Sequence, residues 1–293
     1  MSQQWNVFRS VLFLALVCLL IEEGSAQSIT IANLGFEVDT LPGGQPIPEN
    51  TIRVDPSTPS DWDIYDPNFI IDGGSNSVGI INPTNSSFYS GGAPEGSQAA
   101  LIYLEASGQG EAGIHQTLAS SLQLQTRYTL QVDVGNPASG TSSSSSSGGA
   151  ILFNFAGFPG YRIDLLAATT VIASDTGASI PDGSWDTRTL VVDIGDSSDL
   201  AGETLSVRLV SLNQTGTSGE PGIQVNFDHV RLVTSPVPEV TPVAADSALK
   251  ASLTRKAKKL TKKIKNARRK KQTKRVKKFK EKLRKLKRQL RGL

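Results

Sequence analysis

The sequence is short of several residue types that common enzyme classes and disulfide-rich secreted domains depend on. It has one cysteine, Cys18, one methionine and two histidines in 293 residues. A lone Cys excludes a disulfide scaffold, a Cys-ligated zinc site and a catalytic thiol in the body of the chain. Lysine is missing from residues 1–249, where seven arginines stand against 26 acids. Long apolar runs are missing too. A membrane-spanning helix needs about 20 apolar residues, and the run Ser10–Ile21 has 12 before Glu22 and Glu23 end it.

What is present is unevenly placed. Residues 250–293 carry 16 Lys and seven Arg against one acid, Glu281, so the body has net charge −19 and the tail +22, within a total of +3. This split excludes a uniformly basic nucleic-acid domain. At the N-terminus, Arg9, the short apolar run and the small residues Gly24-Ser25-Ala26 predict a secretory signal over residues 1–26, cleaved after Ala26. The mature protein is then expected to be secreted and to fold without crosslinks, on its core alone.

From Gln27 to Thr234 the chain is rich in Gly, Ser, Thr, Val and Ile, and strand-like runs recur between turn signals. Tyr128, Leu130, Val132 and Val134 fall on one face of a strand, with Thr129, Gln131 and Asp133 on the other. Leu205, Val207 and Leu209 alternate with Ser206 and Arg208 in the same way. Such period-two patterning buries one face and wets the other. No helical-period segment separates the runs, so an all-β sandwich over residues 27–234 is expected rather than a βαβ fold. Leu41–Glu49 and the serine tract Ala138–Gly149 read as loops.

The motifs IANLGFE (Ile31–Glu37), SDWDIYD (Ser60–Asp66), GIHQTL (Gly113–Leu118), TRYTLQVDVGN (Thr126–Asn136) and VNFDHVRLV (Val225–Val233) occur in an order that resembles the galactose-binding-like jelly rolls and carbohydrate-binding modules of bacterial-type extracellular proteins. The resemblance implies a jelly roll whose first and last strands are neighbours. It also implies a structural Ca2+ held by Glu37 and Asp228, a chemistry consistent with calcium's preference for six to eight oxygen ligands. Sugar binding in such folds uses exposed aromatics. The candidates are Trp62, Tyr65, Tyr161 and Trp185, with Phe88, Tyr89 and Phe158 in neighbouring motifs, although a core position is the commoner fate of any one of them. Asn85 and Asn213 begin N-x-S/T sequons and are candidate glycosylation sites.

Catalysis finds no support at this level. His115 and His229 each lie inside a β pattern, and no G-x-S-x-G elbow, H-E-x-x-H or P-loop occurs. No catalytic residue is assigned.

Ser235–Asp246, with three prolines, reads as a linker that carries on to residue 248. Beyond it, over residues 249–293, Leu249, Leu253, Ala257, Leu260, Ile264 and Ala267 form one apolar stripe at helical spacing. Val276, Phe279, Leu283, Leu286, Leu290 and Leu293 form a second. The stripes are about 180° out of phase on a straight helix. The spacing therefore favours a hairpin turning near Lys270–Thr273 over one long helix. Lys258, Lys259, Lys262, Lys263, Arg268, Arg269, Lys270, Lys271, Lys277 and Lys278 are the expected polyanion-binding residues. Acidic polysaccharide, an anionic surface or a mineral is the expected partner, with self-association through the stripes as another outcome. Nucleic acid is disfavoured by the export signal.

The sequence thus predicts a secreted, non-catalytic matrix or surface protein with a glycan-binding or structural jelly roll. The alternatives are a silica or calcium biomineral matrix protein and, third, a polysaccharide hydrolase.

Overall fold

The structure is a computed structural model that describes residues 26–54, 58–72, 75–105, 110–143, 150–155, 157–177, 179–213, 223–238, 242–269 and 273–291. Residues 1–25 of the expected signal segment 1–26 lie outside these residues. The chain divides into two compact units, with the boundary between Val237 and Pro238.

The first unit is a β-sandwich. Its strands are β1 (Gln27–Ile29), β2 (Thr40–Leu41), β3 (Gln45–Pro46), β4 (Thr51–Arg53), β5 (Asp63–Tyr65), β6 (Asn76–Asn82), β7 (Ala99–Leu104) and β8 (Ala112–Ser121). They continue with β9 (Thr126–Asn136), β10 (Gly140–Ser143), β11 (Ala150–Phe153), β12 (Tyr161–Ala167), β13 (Thr170–Gly177), β14 (Ser184–Ile194), β15 (Thr204–Ser211) and β16 (Gln224–Pro236). The larger sheet runs β11-β10-β4-β6-β7-β16-β9-β14, with β1 paired to β16; the smaller runs β13-β12-β15-β8-β5; β2 and β3 form a short ribbon. The first and last strands are neighbours, Gln27 opposite Thr234, as the resemblance implied.

The period-two pattern explains the core. Tyr128, Leu130, Val132 and Val134 of β9 and Leu205, Val207 and Leu209 of β15 are all fully buried between the sheets. They meet Ile102, Ile114, Ile163, Val225 and Phe227 there. Closing this layer removes most of the chain's strand-borne apolar surface from water, at roughly 25 cal/mol per Å².

Both segments read as loops carry strand, since Leu41–Glu49 holds β3, and one strand went unread. Gly140–Ser143, inside the segment read as a loop, is strand β10, because its backbone completes the ladder beside β4 and β11. β6 was invisible to alternation because all seven of its residues are buried. It lies inside the large sheet with apolar material on both faces, and period two vanishes when both faces are covered.

The second unit contains α1 (Pro242–Arg269) and α2 (Thr273–Arg291), which pack against each other. This is the hairpin arrangement, not one long helix. Helix α1 starts at Pro242, seven residues before the expected start at Leu249, so the end of the expected linker is helical; proline is well placed there because a first-turn residue needs no N–H partner. Leu253 and Ile264 are buried in the seam. Ala257, Leu260, Phe279, Leu283 and Leu286 are half-buried. Of the expected turn at Lys270–Thr273, residues 270–272 lie outside the described residues and Thr273 opens α2. Among the described residues no helix is long and apolar enough to cross a membrane.

Candidate active site

Strand alternation gives the large sheet two apolar faces. On β7, Ala100, Ile102 and Leu104 point into the sandwich core, while Ala99 and Leu101 join a second cluster on the outer face. On β16, Val225 and Phe227 point inward. Gln224, Asn226 and Asp228 occupy the alternate positions of the strand. The second cluster contains Ile81, Phe88, Tyr89, Ala99, Leu101 and Phe155, with Ile52, Val54, Tyr103, Phe153, Trp185 and Ile223 packed around it.

Its aromatic content is concentrated. Phe153 and Phe155 stack at 5.4 Å, Phe88 meets Phe155 at 5.5 Å, and Tyr103 meets Phe155 edge-on at 6.4 Å. Tyr89 stacks on Trp185 at 4.4 Å. Gly135 makes this last stack possible: a Cβ there would lie 2.5 Å from Tyr89 Oη and 2.6 Å from the Trp185 ring. The Trp185 indole N–H donates to Gly92 O at 3.0 Å, which ties the segment after Tyr89 to β14. Phe88, Tyr89 and Phe155 are fully buried. Val54, Tyr103, Phe153 and Ile223, like Ile52 and Trp185, are only half-buried.

A short amide chain runs beneath the rings. Tyr89 Oη donates to Asn226 Oδ1 at 3.0 Å, Gln224 Nε2 donates to the same oxygen at 3.0 Å, and Asn226 Nδ2 donates to Ala100 O at 3.1 Å. Gln224 Oε1 is buried and has no partner. A buried acceptor left unpaired is costly, so this oxygen is poised to accept a hydrogen bond. Gln224 is paired in register with Tyr103. Burial first, and then the Glu105 charge, push the Tyr103 phenol up, so it remains a protonated donor.

Asp228 lies two residues beyond Asn226 and is completely buried. Its carboxylate accepts the Glu95 N–H at 2.9 Å and the His229 N–H at 2.6 Å. Burial, with the Glu95 and Asp133 charges adding to it, pushes it up to about 8. Asp133 sits opposite it on β9, takes the Thr187 hydroxyl, and lies 3.2 Å from His229 Nδ1. A bulge at His229, whose φ is +50°, allows this placement. Glu37 accepts the N–H groups of Ser97 and Gln98 at 2.8 and 2.6 Å. Glu37 and Asp228 therefore hold two ends of one segment, Glu95–Gln98. Gly35 supplies room, since a Cβ on it would overlap Glu95 Oε2 and approach Asp228 Oδ1. Among the described residues, no three His, Cys, Asp or Glu side chains form a ready-made metal cluster.

A family model described as HpiC1-like, HpiC1 cyclase, matches residues 27–233. The chain belongs to the HpiC1-like cyclase family. No curated protein matches it. Among solved structures it is similar to the Stig cyclase Fisc from Fischerella sp. TAU in complex with (3Z)-3-(1-methyl-2-pyrrolidinylidene)-3H-indole, at 36% identity and a TM-score of 0.60, over 73% of this chain and 100% of that one. A cyclase from the same source in complex with 4-(1H-indol-3-yl)butan-2-one gives 34% identity, a TM-score of 0.59, 72% of this chain and 99% of that one. An apo cyclase from Fischerella sp. gives 35% and 0.60, over 73% and 98%.

Membership of the HpiC1-like cyclases corrects the functional expectation. The family and its solved members point to an enzyme, not to a non-catalytic matrix or biomineral protein, and carbohydrate binding has no support. The resemblance to galactose-binding-like modules holds for the jelly-roll architecture alone. The error has a physical source. Histidines, nucleophile elbows and metal motifs report hydrolytic chemistry, whereas ring closure needs a shaped apolar surface with a few polar groups, which leaves no linear motif.

The ligand candidates scatter across the cyclase fold. Trp62 is buried against Phe36 at 5.5 Å and is a core residue. Tyr161 is fully buried with its hydroxyl donating to Asp175 at 2.7 Å. Tyr65 lies on the small sheet, where it donates to Glu111 at 2.8 Å and Arg208 stacks 4.4 Å above it. Of the four, Trp185 alone joins the outer-face cluster. Asn85 is exposed, but Asn213 is 1% exposed, out of reach of a glycosylating enzyme in the folded protein. Lys258, Lys259, Lys262, Lys263 and Lys278 are exposed on the helices. Arg268 and Arg269 lie in α1 and Lys277 in α2, while Lys270 and Lys271 fall outside the described residues. Tyr103, Phe153, Phe155, Gln224 and Asn226 were missed. Their signal was present as F-x-F at 153–155 and Q-x-N at 224–226, both at period two, the second opposite the core residues Val225 and Phe227.

Proposed function

We propose that this chain is a cyclase that folds an apolar, indole-type substrate against the outer face of the large sheet and closes a ring within it. The observation that carries this is the aromatic cluster on the sheet's outer face, with the half-buried Tyr103 packed at its edge and the buried amides of Gln224 and Asn226 beneath its rings. Solved relatives holding indole compounds support the substrate class. Ring closure adds an indole C–H across the alkene of the same molecule: one π bond is consumed, one C–C bond forms, and the proton taken up at the alkene is matched by the one lost from the indole, so the product is an isomer. The aromatic wall brings those carbons together, which makes the reaction effectively intramolecular in a fixed geometry. Ring faces stabilise positive charge developing on the substrate. Tyr103 donates its O–H to the substrate, and the buried Gln224 and Asn226 amides hold the Tyr89 ring in place, so together they fix which face closes. Incubation with an indole carrying an alkene side chain tests this. A product of unchanged mass with one new ring is expected, formed at least about tenfold more slowly by Val54→Trp, which puts a bulky ring at a half-buried edge of the cluster. Absence of both product and indole binding would refute it.

Calcium enters on a separate observation. Asp228 is a buried carboxylate faced by the like charges of Glu95 and Asp133, and an oxygen-rich group of that kind suits a divalent cation. Calcium there, with Glu37 steadying the same segment, would be structural and would pin Glu95–Gln98 to β16. Export is likewise our reading. A mature chain beginning at Gln27 on N-terminal sequencing supports it, and a retained Met1 refutes it.

A further inference from the structure

The family match ends at residue 233, and the solved relatives are covered over 98–100% of their length by 72–73% of this chain. The cationic hairpin therefore has no counterpart in those chains. Its fold determines what it offers. The two apolar stripes are used against each other, as the buried Leu253 and Ile264 show. Among the described residues the apolar stripe positions Leu253, Ala257, Leu260, Ile264, Phe279, Leu283 and Leu286 are buried or half-buried, while lysines such as Lys258, Lys262 and Lys287 are exposed.

One feature of this surface is not electrostatic. A groove of about 470 Å³ lies between the helices, lined by Thr254, Ala257, Thr261 and Leu283 and rimmed by lysines that include Lys258 and Lys287. The threonine hydroxyls are turned away from ligands. Thr254 donates to Lys250 O at 2.7 Å and Thr261 to Ala257 O at 3.0 Å, each back along its own helix. The groove floor is thus made of methyl and methylene groups. On the rim, Lys258, Lys262 and Lys265 follow each other at spacings of four and three, one row on a helix face. No acid pairs with these lysines or with Lys287 among the described residues.

We infer that the hairpin is a docking surface for an anionic phospholipid bilayer. Its lysines bind the headgroups, and its groove takes up the apolar part of a lipid at the interface. Charge complementarity requires an anionic partner, and the floor selects among anionic partners. A phosphodiester backbone or an acidic polysaccharide presents polar groups that would find no hydrogen-bond partner on that floor. A lipid presents a charge beside a hydrocarbon chain, which matches a lysine rim around methyl groups. The contact is peripheral and electrostatic, so it depends steeply on salt.

The test uses the full-length protein in co-sedimentation with vesicles of phosphatidylcholine alone or with phosphatidylglycerol added. Binding is expected to the anionic vesicles at low salt, with release at high salt and none to phosphatidylcholine. Each lysine near an anionic surface contributes about fivefold. The variant Lys258→Gln/Lys262→Gln/Lys265→Gln/Lys287→Gln should therefore bind more than about a hundredfold more weakly, with its helix content checked by circular dichroism. Ala257→Gln, which makes the floor polar while keeping a good helix former, should weaken vesicle binding and leave binding to heparin or duplex DNA unchanged. The inference is overturned if anionic vesicles do not retain the protein. It is equally overturned if heparin or DNA competes on equal terms while Ala257→Gln binds vesicles like the wild type, or if the protein self-associates through the hairpin and ignores lipid.

Discussion

The sandwich and the hairpin put the same kind of information in opposite places. In the hairpin, charge and apolar spacing lie in consecutive residues, so the stripes, the seam and the cationic surface can be read from the chain directly. In the sandwich, the site is assembled from β4, β6, β7, β11, β14 and β16, and Trp185 reaches Tyr89 only because β14 lies beside β9 across Gly135. Local chemistry announces itself in sequence; chemistry built by topology does not.

That contrast can be broken or sharpened experimentally, beginning with the largest effect. Asp228 has a folded-state value of about 8 without a cation, against about 3.9 unfolded. Below pH 4 both states hold the proton and nothing is lost. As pH rises from 4 to 8 the unfolded chain releases its proton while the folded one must keep it, so metal-free stability falls, by on the order of 5 kcal/mol in all. Denaturation after chelation, followed across pH, should show this slope. Calcium should restore stability at pH 8, and Asp228→Asn should flatten the curve. A slope unchanged in Asp228→Asn would assign it elsewhere.

The next effect separates the two units. Leu209 is fully buried between the sheets, so Leu209→Ala should cost about 3 kcal/mol in the sandwich transition. Leu260→Asp in the hairpin seam should melt tail helix and leave that transition in place. A shift in both from either substitution would deny that they are separate units.

At the site itself the effects are smaller and kinetic. Tyr103→Phe and Gln224→Leu should each slow turnover by about ten- to thirtyfold, measured as isomer formed, with stability changed by less than about 1 kcal/mol. Smaller still is the hairpin's response to salt. Its like charges repel along each helix, at a few tenths of a kcal/mol per pair, so helicity by circular dichroism should rise modestly with added salt. A hairpin fully helical in dilute buffer would mean that the seam alone outweighs the repulsion.

Much of the fold was legible. The alternation in β9 and β15 and the hairpin follow from patterns in consecutive residues, while the pairing of the first and last strands came from the resemblance to jelly-roll modules. β6 was hidden because both its faces are covered, and β10 because a serine-rich stretch carries no hydrophobic signature even when its backbone completes a ladder. The site was legible only in pieces. Trp185 and the Phe88-Tyr89 pair stood out as aromatics, whereas Gln224 and Asn226 resembled ordinary polar positions. What distinguishes them is burial beneath an aromatic wall, and burial on the outer face of a sheet depends on the segment folded over it. Membership of a cyclase family, not any motif, then supplied the chemistry.

The central claim is that the aromatic outer face of the large sheet is where ring closure takes place. The most direct measurement is a calorimetric titration of 4-(1H-indol-3-yl)butan-2-one into the wild type, Val54→Trp and Tyr65→Ala, the last a change on the other sheet. The account predicts saturable binding to the wild type and Tyr65→Ala, and binding weakened at least about tenfold in Val54→Trp. Equal binding by Val54→Trp, or loss confined to Tyr65→Ala, would place the site elsewhere.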